Sequence, residues 1–118
     1  MNEALIIIPT YNERDNLPTL CDQVLSALPT ADLLIVDDNS PDGTGQLADD
    51  MAKANPRISV LHRSGKLGLG TAYIAGFRYA LSKHYQYVFE MDADFSHDPV
   101  YLPALLAAAK DGAGVVIG

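Results

Sequence analysis

Tyr87-Val88-Phe89-Glu90-Met91 runs directly into Asp92-Ala93-Asp94. The largely apolar run reads as a buried strand, and the two carboxylates after it stand where α/β folds gather their ligands, beyond a strand's carboxyl end. One residue separates Asp92 from Asp94, so in an extended strand end both side chains lean toward one face. A divalent cation would relieve their mutual repulsion, and a hard, oxygen-seeking ion, Mg2+ or Mn2+, suits such a pair better than zinc. Taken alone, the pair also fits ordinary strand-end chemistry, with Asp98-Pro99 downstream starting a helix.

Working outward, similar runs recur at residues 4–8, 32–36, 58–61, 85–91 and 115–117, with four helical patterns between them. Strand and helix in alternation predict a mostly parallel sheet flanked by helices, a Rossmann-like α/β fold. Leu5-Ile6-Ile7-Ile8 is apolar without a break, which implies a strand covered on both faces. In the first helix Leu17, Leu20, Cys21, Val24, Leu25 and Leu28 form one stripe, and Pro29 closes it. The second is expected to take Thr44 as N-cap and to pack through Leu47, Ala48, Met51 and Ala52 before Asn55-Pro56 ends it. The third is expected from about Leu69 to Lys83, with Ala72, Gly76 and Ala80 four apart, small residues that let a helix lie close to a sheet. The fourth starts either at Asp98-Pro99 or at Pro103 after Leu102.

In 118 residues, a hydrophobic content of 48% suffices for one core and a single domain. A formal net charge of −7 speaks against a nucleic-acid partner, since phosphate backbones are bound through excess Lys and Arg. Cys21 is the sole cysteine, so there is no internal disulfide, and its place on the apolar stripe predicts a buried, inert thiol in a reducing compartment. No apolar run approaches the roughly 20 residues that span a bilayer, and the N-terminus lacks a basic region followed by a hydrophobic one. The expectation is a cytoplasmic protein, peripheral to a membrane.

The expected carboxyl ends of the strands are polar. They read Pro9-Thr10-Tyr11-Asn12-Glu13, then Asp37-Asp38-Asn39-Ser40-Pro41-Asp42-Gly43-Thr44, then His62-Arg63-Ser64-Gly65-Lys66, then Asp92-Ala93-Asp94. Pro41 and Gly43 make a turn in the second, but two adjacent aspartates exceed what a turn requires. A carboxylate accepting hydrogen bonds from a base or a ribose is the functional alternative. Gly65-Lys66-Leu67-Gly68-Leu69-Gly70-Thr71 loosely resembles a phosphate-cradling loop without its lysine spacing, so its glycines read as turn and packing residues. The three histidines show no zinc-like spacing, although His97 lies near the acidic pair.

Four segments occur in order: Ile8-Pro9-Thr10-Tyr11-Asn12-Glu13, Val36-Asp37-Asp38-Asn39-Ser40-Pro41-Asp42-Gly43-Thr44, Gly68-Leu69-Gly70-Thr71-Ala72-Tyr73 and Met91-Asp92-Ala93-Asp94-Phe95-Ser96-His97-Asp98-Pro99. Together they resemble glycosyltransferase family 2, and within it the polyprenol (dolichol) phosphate mannosyltransferases, across essentially the whole chain. The resemblance implies a GT-A nucleotide-diphospho-sugar transferase fold, GDP-mannose as donor, a polyprenyl phosphate as acceptor, Mg2+ or Mn2+ as cofactor and a membrane surface as partner, with room for a membrane-anchoring subunit or domain. It places Pro9, Tyr11 and Glu13 on the base and ribose, completed by Val36 and Asp38, and sets Asp92, Ala93 and Asp94 against the diphosphate. Asp92 and Asp94 are then the catalytic carboxylates, and Asp94 and Ser96 hold the metal, Ser96 standing where related transferases often carry Gln. A single displacement by the anionic lipid phosphate inverts the anomeric centre and gives a β-linked mannosyl lipid phosphate.

In this family the acceptor half follows the donor half, so the strand expected at residues 115–117 leads to the expectation of a donor-binding part, inactive alone. The cations nearest the strand ends are Arg63 and Lys66. Two other readings stand beside this one: a polyprenyl-phosphate glucosyl or hexosyl transferase using a UDP-sugar, and a non-catalytic Mg-binding receiver or nucleotide-binding module. A receiver wants an acidic pair after its first strand, where this chain has Pro9-Thr10.

Overall fold

A computed structural model of the chain describes residues 3–64, 69–91, 107 and 115–117. Five strands are present among them: β1 (Ala4–Thr10), β2 (Ala31–Asp37), β3 (Ile58–His62), β4 (Tyr87–Glu90) and β5 (Val115–Ile117). Three helices connect the first four: α1 (Leu17–Ala27), α2 (Thr44–Ala54) and α3 (Leu69–Ser82). Of the expected fourth helix only Ala107 is described, and it is helical; where that helix starts lies outside the described residues.

All four strand pairings are parallel, in the order β3-β2-β1-β4-β5. The chain steps outward from β1 to β3, then crosses back to lay β4 on the other side of β1, so strand order reverses between β1 and β4. That reversal makes the crevice at the carboxyl ends of β1 and β4 the natural ligand site. It also separates the fold from a phospho-receiver, whose order is 2-1-3-4-5.

Strands β1 and β2 each feed two cores. Ile6, Ile8, Leu33 and Ile35 pack with Leu17, Leu20, Cys21, Val24 and Ala48 from α1 and α2 on one face. Leu5, Ile7, Leu34 and Val36 pack with Ala72 and Ala80 of α3 on the other. The unbroken run Leu5 to Ile8 is therefore fully buried, as a two-sided strand requires. Each such side chain contributes about 1.5–3 kcal/mol. Cys21 sits within the first core, where burial, with Asp22 adding to it, pushes its thiol up to about 12. Such a thiol is inert at neutral pH.

The small residues of α3 do what their spacing predicts. A Cβ added at Gly76 would lie 2.6 Å from Ile7 Cγ2, so the helix backbone rests directly on β1. Elsewhere, distant segments move the boundaries. The fourth strand begins at Tyr87 rather than 85 because Tyr85 closes α3, its N–H on Ala80 O at 3.2 Å after the left-handed His84, while its hydroxyl donates to Asp32 Oδ2 at 2.6 Å. The first strand extends through Pro9 to Thr10. Proline is tolerated there because residues 7 and 9 turn their backbone toward β4, and the last described pair on that side is Ile7 with Glu90.

Thr44 is not the N-cap of α2 but its first residue. Gly43 is the N-cap, with a φ of 89°, a left-handed value that favours glycine, and the Thr44 N–H is met by Asp42 Oδ1 at 3.0 Å. The Thr44 hydroxyl, expected to cap, is used elsewhere.

Candidate functional site

The register brings Thr10, Asp37 and His62 level at the carboxyl edge. Two loops rise from this edge, residues 11–16 after β1 and residues 38–43 after β2. Both turn sharply through a left-handed asparagine, Asn12 (φ 57°) and Asn39 (φ 53°), the non-glycine type most tolerant of that region.

The adjacent aspartates do unlike work. Asp37 is buried and ties the edge together: Oδ1 accepts the Thr10 hydroxyl at 2.7 Å and the Ser40 hydroxyl at 2.6 Å, and Oδ2 accepts the Ser40 N–H at 3.1 Å. Asp38, also buried, receives a two-pronged ion pair from Arg63, Nε to Oδ1 at 2.6 Å and Nη2 to Oδ2 at 2.8 Å. Arg63 Nη1 donates further to Thr71 Oγ1 at 3.0 Å, bridging β2, β3 and the first turn of α3. The positive charge expected to be available at the strand ends is thus committed to Asp38, and Lys66 lies outside the described residues.

The β2 loop also holds the β1 loop. Ser40 Oγ accepts the Asn12 N–H at 3.0 Å, Thr44 Oγ1 accepts the Glu13 N–H at 3.0 Å, and Asp42 Oδ2 accepts the Arg14 N–H at 3.2 Å. In return Asn12 Oδ1 accepts the Asp42 N–H at 3.4 Å. Burial is the largest single influence on Asp42 and opposes its ionisation, but the hydrogen bonds from the Thr44 side chain and backbone and from the Arg14 backbone, with the Arg14 charge, together outweigh it and hold the carboxyl below its usual range. The Glu13 carbonyl accepts Asn16 N–H at 3.1 Å and Leu17 N–H at 3.0 Å, so the same loop launches α1.

Of the residues singled out in sequence, Pro9, Tyr11 and Glu13 come together, half-buried, at the end of β1 and in its loop. Asp38 lies beside them at the end of β2, its backbone N–H on Thr10 O at 3.1 Å. Val36 exposes nothing and packs in the core under α3. Asp92, Ala93, Asp94 and Ser96 lie outside the described residues. Met91, the last residue described before them, is buried at the edge of the crevice with its N–H on Ile7 O at 3.0 Å. The pairing of Arg63 with Asp38 and the roles of Ser40 and Thr44 were not anticipated. The one signal for the pair is that β3 neighbours β2, which sets Arg63 next to Asp38 once the strands are aligned.

The sequence matches the profile of glycosyl transferase family 2 over residues 5–118. It is 54% identical over 116 residues to the polyprenol monophosphomannose synthase of Mycolicibacterium smegmatis, covering 98% of this chain and 44% of that protein. It is 54% identical over 115 residues to the undecaprenyl-phosphate mannosyltransferase of Micrococcus luteus, covering 98% of this chain and 47% of that one. The chain therefore spans less than half the length of either relative. Among solved structures, the mannosyltransferase PcManGT from Pyrobaculum calidifontis, in complex with GDP-Man and Mn2+, is similar with a TM-score of 0.59 at 22% identity, covering 67% of this chain and 24% of that one. At that identity the likeness speaks for the fold, which is of the GT-A type.

Proposed function

The chain belongs to glycosyltransferase family 2, and on that premise we propose that it forms the donor-binding part of an enzyme transferring mannose from GDP-mannose to a polyprenyl phosphate. The observation that carries this reading is 54% identity to two polyprenyl-phosphate mannosyl enzymes along 98% of the chain. The geometry agrees with it. Pro9, Tyr11, Glu13 and Asp38 cluster at the carboxyl edge beside the strand-order reversal, the place where a nucleotide fits a doubly wound sheet.

The diphosphate falls to Asp92, Ala93 and Asp94, the residues that follow Met91 in the chain, and Asp94 with Ser96 would hold Mg2+ or Mn2+. The donor set fits such a metal, since carboxylate and hydroxyl are hard oxygen ligands and the buried Met91, bonded to Ile7, fixes where that segment begins. When bound, the metal would neutralise charge developing on the departing diphosphate. The chain's own residues hold the base and ribose and orient the anomeric carbon. An acceptor phosphate, anionic at neutral pH, needs no general base, and one displacement would invert the centre to a β-linkage. Among the described residues no helix is long and apolar enough to cross a membrane, and an acceptor in the bilayer suits a protein working at its surface.

Asp94→Asn tests the metal assignment. Calorimetric titration is expected to show loss of the Mn2+-dependent part of GDP-mannose binding, with an unfolding midpoint close to that of the parent. A variant that bound Mn2+ and GDP-mannose like the parent would remove Asp94 from the metal site.

A further inference from the structure

Three successive backbone N–H groups, of Asn12, Glu13 and Arg14, are each met by a side chain of the neighbouring loop or helix start: Ser40 Oγ, Thr44 Oγ1 and Asp42 Oδ2. Two of these acceptors are hydroxyls, and each hydroxyl also donates to a carboxylate. Ser40 Oγ donates to Asp37 Oδ1 at 2.6 Å, and Thr44 Oγ1 donates to Asp42 Oδ1. Only a group that gives and takes at one atom can sit between an amide and a carboxylate in this way. The carboxylate polarises the hydroxyl, which strengthens its hold on the amide.

We propose that Ser40 and Thr44 are positioning residues of the donor site: their hydroxyls clasp the β1 loop and hold residues 11–13 in the shape that meets the nucleotide. The proposal rests on the nucleotide-sugar reading above and adds residues which that reading leaves to the turn. Asn12 supplies the reason a clasp is needed. It holds the left-handed backbone that turns the chain out of β1, and Tyr11 and Glu13 flank it, so their placement depends on that turn being kept. Both ends of Asn12 are held by the β2 loop, its N–H by Ser40 and its Oδ1 by the Asp42 N–H. Thr44 is fully buried, so its hydroxyl cannot be replaced by water without a rearrangement. Behind Ser40, Asp37 is itself bonded to Thr10, which anchors the clasp in the sheet.

Thr44→Val keeps the shape and removes the hydroxyl, Ser40→Ala removes the other, and Thr44→Ser keeps the hydroxyl. Thr44→Val and Ser40→Ala are each expected to weaken GDP-mannose binding roughly tenfold, as the loss of one polarised hydrogen bond implies, while Thr44→Ser stays within about twofold of the parent. Amide hydrogen exchange followed by NMR reads the clasp without any ligand. Thr44→Val should speed exchange at Glu13 and spare Asn12, and Ser40→Ala should do the reverse. A general loss of structure would instead speed exchange throughout the chain. Unchanged exchange at both amides, or parental affinity in Thr44→Val, overturns the proposal. If the parent itself bound no GDP-mannose, the nucleotide reading would fall and the positioning role with it, and the exchange data would still report whether the clasp exists.

Discussion

Arg63→Met is expected to destabilise the folded chain by about 3–5 kcal/mol, the cost of leaving one member of a buried ion pair alone. The pair is well shielded, with side-chain exposures of 10% for Arg63 and 8% for Asp38, and the guanidinium is also bonded to Thr71. Its removal strands a carboxylate beneath the two loops and unties α3 from the end of β3. Urea unfolding measures the loss. Removing both charges, as in Asp38→Leu with Arg63→Met, should recover much of it, because the penalty belongs to the unpaired charge rather than to the pair. A loss below about 1 kcal/mol in Arg63→Met would mean that the pair behaves as an exposed one.

Gly76→Val is expected to be the most damaging single change on α3. The added Cβ alone would lie 2.6 Å from Ile7 Cγ2 and 2.7 Å from Ile7 Cδ1, and both belong to a side chain locked in the core between α3 and β1. Overpacking of this kind costs about 1–3 kcal/mol for an extra methyl group and more for a branched one. The gain in helix propensity from Gly76→Ala, up to about 1 kcal/mol, offsets only part of that. Thermal unfolding should therefore rank parent above Gly76→Ala above Gly76→Val. Ile7→Val, which removes Cδ1, should cost less in the Gly76→Ala background than in the parent. Gly76→Ala melting at or above the parent temperature would contradict the close contact of α3 with β1.

Much of this architecture is readable from the amino-acid order because it rests on burial. Leu5 to Ile8 reads as a two-sided strand, the stripe from Leu17 to Leu28 as a helix face buried on the sheet, and the small residues at 72, 76 and 80 mark where α3 lies close to it. What remains hidden is decided by hydrogen bonds between segments remote in sequence. Asp37 and Asp38 are identical neighbours, yet one is absorbed by Thr10 and Ser40 and the other by Arg63, because adjacent residues turn to different partners. Nothing local to residue 63 announces that partner, which is set by the alignment of β3 on β2. Ser40 and Thr44 read as turn and cap residues since serine and threonine are common there, and their second role exists only because the β1 loop passes over them. Thr44 loses the cap position to the left-handed Gly43, and its own N–H goes to the Asp42 carboxylate. The motifs, by contrast, point to the family directly, and the match over residues 5–118 agrees with them.

On the proposed function, this carboxyl edge binds GDP-mannose with the help of a divalent metal. Calorimetric titration of the chain with GDP-mannose and with UDP-glucose, each with and without Mn2+, tests it most directly. Mn2+-dependent binding that favours GDP-mannose is the expected result. Binding of UDP-glucose as tight or tighter, or binding indifferent to Mn2+, would contradict it.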